Sequence, residues 1–187
     1  MRVAKLVVAA VLAALPTAAL AQDFGIDEIR AGAMIHAVEL GGGPLLSSIH
    51  LDRLEDVNFE VLFRSPQMDA FEWLGSPRPA IGATISTKGF ENMVHANLNW
   101  HVPLGDTPFF VEGGLGLSLV SGYDSGAPSG YRDLGCNVLA YMQGSVGMDL
   151  GQNWDVTATF EHSSHGWICG TNNDGLNGLG IRVGYKF

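Results

Sequence analysis

The closing stretch of the chain, LNGLGIRVGYKF at residues 176–187, has two faces of opposite character. Alternate residues form an apolar face: Leu179, Ile181, Val183, Tyr185 and Phe187. The residues between them are glycines and cations: Gly178, Gly180, Arg182, Gly184 and Lys186. A period of two is the pattern of a β-strand, whose successive side chains point to opposite sides. Because glycine and cations line its second face, this strand is predicted to separate an apolar environment from a polar one.

The same alternation recurs along the chain and predicts an all-β protein. Eight segments show it: 27–38, 54–64, 79–87, 91–102, 108–120, 136–150, 153–165 and 177–187. Turn-forming stretches separate them, including GGGP at 41–44, PLGDTP at 103–108 and LGQN at 150–153. Glycine, proline and asparagine at such positions favour tight reversals of the chain. The pattern therefore predicts eight strands that follow one another up and down.

Two kinds of barrel use two-faced strands, and they differ in where the apolar face points. A soluble barrel buries that face inside, whereas an outer-membrane barrel turns it to lipid and keeps a polar lumen. The even strand count, the strand lengths and the terminal aromatic Phe187 favour the second kind. We predict an eight-stranded antiparallel up-and-down outer-membrane β-barrel. From the pattern alone, a soluble periplasmic barrel that binds an apolar ligand remains the alternative.

The beginning of the chain predicts export. Residues 1–21 carry Arg2 and Lys5, then an apolar run, then a small-residue ending before Gln22, as a secretory signal peptide does. We expect residues 22–187 to form a single domain. The chain has 19 acidic residues against 10 lysines and arginines, so no nucleic-acid partner is expected, because no basic surface is available to neutralise phosphates.

Residues able to carry out chemistry cluster in FEHSSHGW at 160–167. By strand parity, His162 and Ser164 share the apolar face and lie near the outward end of the seventh strand. Side chains two positions apart on one face are about 6–7 Å apart at Cβ, so the imidazole can reach the hydroxyl and activate it as a nucleophile. A third group usually orients such a base, and Asn177 falls on the same face of the eighth strand.

Other polar residues are predicted to have structural roles. Those expected in the lumen are His95, His101, Ser163, Glu60, Arg64, Glu112, Glu161 and Arg182. Their inward position makes Ser163 a poor nucleophile and Glu161 a poor third member of the site. His36 and His50 border the first outer loop and are expected to be exposed, and Asp174 is a reserve candidate for the acid.

The two cysteines, Cys136 and Cys169, are both in the exported part of the chain, where a disulfide can persist. A tight turn near residues 151 and 152 places position 136 opposite about 167 on the neighbouring strand, so a disulfide between them is expected. A metal site would need more ligands at closer spacing. We therefore predict neither a metal nor a cofactor.

Three stretches resemble a known family. FEHSSHGW…NNDGLNGLGIRVGYKF looks like the C-terminal signature of the outer-membrane lipid A deacylases of the PagL or acyloxyacyl hydrolase type. DEIRAGAMIHAVEL at 27–40 and NFEVLFRSPQ…LGSPRPAIGATISTKG at 58–89 look like the version found in alphaproteobacteria. The resemblance implies an outer-membrane esterase that hydrolyses the acyl chain at the 3-position of lipid A, the lipopolysaccharide anchor in the outer leaflet, without a metal.

The resemblance also implies roles for particular residues. His162 matches the base and Ser164 the nucleophile of a serine hydrolase. Two positions depart from the family pattern, because Asn177 stands where an acidic third member is expected and His165 stands where an asparagine supports the oxyanion. An acid at position 177 would therefore be expected to raise activity. The alternative that these departures leave open is a weakened or inactive structural or binding barrel of the same fold.

Overall fold

The computed structural model describes residues 25–39, 49–166, 169 and 172–187, which form a closed antiparallel barrel. Its strands are β1 (Ile26–His36), β2 (Leu54–Phe63), β3 (Arg78–Ser86), β4 (Met93–Pro103), β5 (Phe109–Val120), β6 (Val138–Leu150), β7 (Trp154–Ser164) and β8 (Leu176–Lys186). Each predicted strand lies within two residues of an observed one. The predicted eight-stranded up-and-down barrel is confirmed. The predicted signal peptide, residues 1–21, lies outside the described residues.

The barrel closes because the first and last strands pair with each other. β1 and β8 run antiparallel over a continuous register from Glu28 opposite Lys186 to His36 opposite Gly178. Every strand thus has a neighbour on both sides in the order β1 to β8. Closure leaves no row of unpaired backbone groups at a sheet edge, which is the condition for a sheet to sit in lipid.

The outer wall is apolar and the interior is polar. Large exposed side chains of the wall include Ile81, Val94, Leu115, Leu117, Val146, Ile181 and Val183. Fully buried side chains of the interior include Glu28, Arg30, Asn58, Thr157 and Arg182. This is the reverse of a soluble barrel and suits a bilayer. Arg64 does not fit its predicted lumenal position, because it follows the last residue of β2 and is exposed.

An apolar cluster closes the end of the barrel from which the longest connections emerge. Its members are Ala37, Met93, Val120, Leu134, Leu139, Tyr141 and Leu176. They come from the ends of β1 and β5, the beginnings of β4, β6 and β8, and the β5–β6 connection. The cluster gives the loops at this end, which we call the outer end, a packed base.

Helices contribute little to the fold. The described residues contain a 3₁₀ helix, Leu51–Arg53, before β2 and a short helix α1, Asp69–Trp73, between β2 and β3. Within this described part of the chain, no helix has the length and apolar character needed to cross a membrane.

Candidate active site

The predicted site residues meet where β7 ends and β8 begins. His162 lies directly opposite Asn177 in the antiparallel register, and Ser164 is the last residue of β7. The side chains of all three are partly exposed, whereas their neighbours Glu161, Ser163 and His165 are buried. Strand alternation therefore presents the three residues on the outer wall near the outer end of the barrel.

The three side chains form a hydrogen-bonded chain. His162 Nε2 lies 2.9 Å from Ser164 Oγ, and His162 Nδ1 lies 2.6 Å from Asn177 Oδ1. An amide oxygen only accepts hydrogen bonds, so it selects the tautomer with the proton on Nδ1. Nε2 is then free to accept the proton of Ser164, which is the arrangement a general base needs.

The backbone of Val38 determines which way round the Asn177 amide lies. Asn177 Nδ2 donates a 2.8 Å hydrogen bond to the carbonyl oxygen of Val38. The Val38 amide in turn donates a 3.1 Å bond to the carbonyl oxygen of Asn177. If the side-chain amide were turned over, two oxygens would face each other at Val38 and two donors at His162. The observed orientation is therefore the favourable one.

The reserve candidates for the nucleophile and the acid point elsewhere. Ser163 is buried and lies 2.8 Å from Ser118 Oγ across the lumen. Glu161 is also inside, where its carboxylate accepts a 2.7 Å bond from Thr84. Asp174 accepts a bond from the backbone of Asp133 in the loops. In their described contacts, none of these groups is hydrogen-bonded to His162.

The ring of His165 is turned into the protein. It is 2 % exposed, and its Nε2 donates a 2.6 Å bond to the carbonyl oxygen of Asn172. The His165 backbone N–H makes a long, 3.4 Å bond to Asn173 Oδ1. The structure thus brings the ring to the β7–β8 connection on the side of the strand away from Ser164, and the ring ties that connection to the end of β7.

The two cysteines lie in the same region. Cys136, two residues before β6, and Cys169, in the β7–β8 connection, are joined by a disulfide with their Cα atoms 6.2 Å apart. Gly135, beside the bridge, adopts a φ of +75°, and a Cβ there would lie 2.5 Å from the Asn172 carbonyl oxygen. The β5–β6 and β7–β8 connections are therefore in close contact behind the site.

Phe160 is flanked by an apolar trough on each side, both on the outer wall of the barrel. The first, with a volume of about 360 Å³, crosses β4 to β7 and is lined by Trp100, Gly113, Leu115, Met142, Gly144 and Phe160. The second, with a volume of about 400 Å³, crosses β7, β8, β1 and β2 and is lined by Ala33, Ile35, Leu51, Leu54, Leu179 and Ile181, among others. The register pairs Met142 with His162 and Gly144 with Phe160, so the first trough begins beside the base.

The sequence did not reveal a buried cluster in which His36 bonds to two carboxylates. His36 is not exposed as predicted, because it is 1 % exposed and lies between Asp56 Oδ2, 2.7 Å from Nδ1, and Glu91 Oε2, 3.0 Å from Nε2. Burial raises the pKa of the Glu91 carboxyl, but hydrogen bonds from His36 and from the Arg132 amide outweigh it and hold that pKa below its usual range. His36 thus holds β1, β2 and the β3–β4 connection together under the outer loops.

A family model described as lipid A 3-O-deacylase (PagL) matches residues 60–186, which include β7, β8 and the whole His162, Ser164 and Asn177 arrangement. The chain belongs to the PagL family. The resemblance seen in the closing stretch of the sequence is therefore confirmed at the level of the family. The match also supports placing the barrel in the outer membrane, with its apolar wall facing lipid.

Solved structures show the same fold at low sequence identity. The crystal structure of the outer-membrane enzyme PagL is 13% identical, with a TM-score of 0.56 over 86% of this chain and 99% of that chain. The N-terminal β-barrel domain of Pseudomonas aeruginosa OprF is 12% identical, with a TM-score of 0.53 over 87% and 98%. Neisserial surface protein A is 16% identical, with a TM-score of 0.52 over 87% and 96%. No curated protein sequence matches this chain.

Among the described residues of this PagL-family barrel, no group of three or more histidines, cysteines, aspartates or glutamates is placed to hold a metal ion.

Proposed function

We propose that the protein is an outer-membrane esterase that removes the acyl chain from the 3-position of lipid A. The observation that carries the proposal is the hydrogen-bonded chain from Ser164 through His162 to Asn177, with distances of 2.9 and 2.6 Å, in a chain of the PagL family. Ser164 is the proposed nucleophile, His162 the general base and Asn177 the group that orients the base.

The proposed reaction has two steps. Ser164 Oγ attacks the ester carbonyl while His162 Nε2 takes its proton, and collapse of the tetrahedral intermediate releases the sugar hydroxyl, which receives the proton back. Water, activated by the same imidazole, then hydrolyses the acyl-serine. Asn177 keeps the proton on Nδ1 throughout, as asparagine does in papain-like sites, but it brings no negative charge to offset the imidazolium.

The position of the site suits a substrate that stays in the membrane. His162 and Ser164 interrupt an otherwise apolar outer wall at its outer end, where lipid A headgroups lie. A lipid can reach Ser164 sideways without leaving the leaflet. We propose that the acyl chain to be cleaved lies in the first trough. On that side Ser164 pairs with the small Ala140 on β6, whereas Asn177 and Val38 lie between Ser164 and the second trough.

We propose that His165 supports the site from behind. Its buried ring holds the Asn172 carbonyl, and this bond fixes the path of the backbone immediately after Ser164. A backbone N–H following the nucleophile is a common oxyanion donor in serine hydrolases. Here that N–H belongs to His165 and makes the long, 3.4 Å bond to Asn173 Oδ1, which an oxyanion would have to replace, so the position of this peptide matters for catalysis. Replacing His165 with alanine should lower kcat more than it changes KM, as steady-state assays can measure.

The direct test is the mass spectrum of lipid A from cells that lack an endogenous deacylase and express this protein in their outer membrane. Loss of one hydroxyacyl chain, with the 3-position hydroxyl freed in the fragment spectrum, is the expected result. An unchanged spectrum with folded protein in the membrane would favour an inactive binding or structural barrel, the candidate suggested by Asn177 and His165 in place of the residues expected there.

Filling the first trough should weaken substrate binding. A Cβ at Gly144 would meet no atom within 4 Å, so Gly144→Leu adds a side chain to the trough without a backbone clash. We expect KM to rise about tenfold with kcat little changed, since the acyl chain makes these contacts in both the ground state and the transition state. Ala33→Leu, which fills the second trough instead, is the control. A larger KM increase from Ala33→Leu would show that the troughs are assigned the wrong way round.

Gly175 is expected to be needed for the position of the imidazole. It adopts a φ of +65°, and an added Cβ would lie 3.1 Å from His162 Cε1. Gly175→Ala should lower kcat about tenfold, because small displacements of a catalytic base are costly. Gly151→Ala in the β6–β7 turn is the control, since it has a φ of +80° and no atom within 4 Å of the added Cβ. Equal losses of kcat in both variants would point to general backbone strain.

A further inference from the structure

Arg132, in the connection between β5 and β6, holds the segment that follows β1. Its Nη2 donates a 3.0 Å hydrogen bond to the carbonyl oxygen of Ala37 and lies 3.2 Å from Glu39 Oε1. The Arg132 side chain is 20% exposed, so these contacts lie at the edge of solvent. Ala37 and Glu39 flank Val38, whose carbonyl oxygen accepts the hydrogen bond from the Asn177 amide.

The segment that Arg132 contacts has an unusual backbone conformation at Ala37. Ala37 is buried and has a φ of +49°, in the left-handed region that non-glycine residues seldom adopt. Such a conformation persists only where surrounding contacts hold it. Arg132 bonds to the Ala37 carbonyl, and the backbone of Val38 pairs with that of Asn177. The backbone conformation of Ala37 is thus held by the β5–β6 connection on one side and by Asn177 of the candidate site on the other.

Arg132 is itself anchored to the barrel. Its backbone N–H donates a 2.6 Å bond to Glu91 Oε1, and the other oxygen of Glu91 lies 3.0 Å from His36 Nε2. His36 is the last residue of β1 and directly precedes Ala37. The loop that carries Arg132 is therefore connected to both ends of the segment from His36 to Glu39, with Val38 between them.

We propose that Arg132 is a positioning residue that orients the Asn177 amide by holding the carbonyl group of Val38 in place. This inference rests on the proposed function of Ser164, His162 and Asn177. An amide has two unlike ends, and only one orientation gives His162 the tautomer with a free Nε2. An acid at position 177, with two equivalent oxygens, would need no such orientation. The departure of Asn177 from the family pattern thus explains why Val38 has to be fixed.

The proposal predicts that Arg132→Met lowers kcat when residue 177 is Asn and raises kcat when residue 177 is Asp. Arg132→Met removes the donor but keeps the side-chain bulk. With Asn177 present, Arg132→Met should lower kcat about tenfold. This factor corresponds to the loss of one hydrogen bond that favours the Asn177 amide with its oxygen toward His162. In Asn177→Asp, the Val38 carbonyl faces a carboxylate oxygen and repels it. Releasing Val38 by Arg132→Met should then raise kcat above that of the single Asp variant.

The experiment is a steady-state assay of full-length protein in lipid A vesicles, with kcat and KM measured for the four combinations of residues at positions 132 and 177. Arg53→Met is the matched control, because it removes an arginine near the outer loops that pairs with Glu55 at 3.6 Å. Equal losses in both backgrounds would make Arg132 a general structural residue and overturn the proposal. A change in KM alone would also overturn it, since that result indicates binding of lipid A phosphate.

A second measurement separates this proposal from the proposed function. Nitrogen NMR of labelled histidine in the Ser164→Ala protein reports the His162 tautomer whether or not the enzyme turns over. We expect a proton on Nδ1 with Arg132 present and a mixture of tautomers in Arg132→Met. An unchanged tautomer would overturn the proposal even in an active enzyme. A shifted tautomer in a chain that cleaves no lipid A would support the positioning role and contradict only the esterase.

Discussion

Replacing Ser164 with alanine is expected to reduce cleavage of lipid A by about 10⁴-fold or more, to the level that binding and oxyanion contacts alone supply. His162→Ala should have a comparable effect, because Ser164 loses the base that lies 2.9 Å from its hydroxyl. The two losses should not add in the double variant, since nucleophile and base act as a unit. Release of the fatty acid from purified lipid A, followed by mass spectrometry, measures all three variants.

The control for this prediction is the adjacent residue. Ser163→Ala removes the neighbouring hydroxyl, which is buried and lies 2.8 Å from Ser118 in the lumen, and it should leave kcat within about twofold of the wild type. Heat-dependent gel mobility shows whether each variant still forms a closed barrel. Full activity in folded Ser164→Ala and His162→Ala proteins would falsify the proposed nucleophile and base. Loss of activity in Ser163→Ala alone would place the nucleophile on the other face of β7.

Much of the fold could be predicted because a barrel repeats one local rule. Alternation of apolar and polar residues shows both the strands and the face that each side chain occupies, as β8 illustrates. The same rule placed His162, Ser164 and Asn177 on one face, and adjacent strands put them in contact. The site thus depends mainly on parity and on the pairing of neighbouring strands, and both can be read locally.

The contacts that the sequence did not reveal join distant segments. Asn177 and Val38 are 139 positions apart, and their contact requires both barrel closure and the left-handed turn at Ala37. This contact changes one expectation. From the family pattern, an acid at position 177 should raise activity, whereas the Val38 carbonyl facing it leads us to expect no gain unless that carbonyl is released. His36 could have been found, because it has the same parity as the lumenal Arg30 of β1.

The largest expected effect on stability concerns Arg30, which parity places in the lumen but whose partners appear only in the closed barrel. Its guanidinium is fully buried and bonds to both Glu28 and Glu112, with Nη1 2.5 Å from Glu112 Oε2 and Nη2 3.0 Å from Glu28 Oε2. Arg78 approaches the same two carboxylates at 2.8 and 2.6 Å. The four side chains form the centre of a larger network, which also includes Glu60, 3.6 Å from Arg30, Asp27, 3.0 Å from Arg78, and His101, 3.0 Å from Glu112.

Arg30→Met should lower the free energy of unfolding by about 3–5 kcal/mol, because it leaves the buried carboxylates of Glu28 and Glu112 to share the single guanidinium of Arg78. Urea unfolding in lipid vesicles, followed by tryptophan fluorescence, measures the loss. The double variant Arg30→Met, Glu112→Gln removes one charge of each sign and should recover more than half of it. Arg78→Met should cost less, because Arg78 is 15% exposed and water can reach the site. If the double variant is less stable than Arg30→Met alone, hydrogen bonds rather than charge balance hold this cluster together.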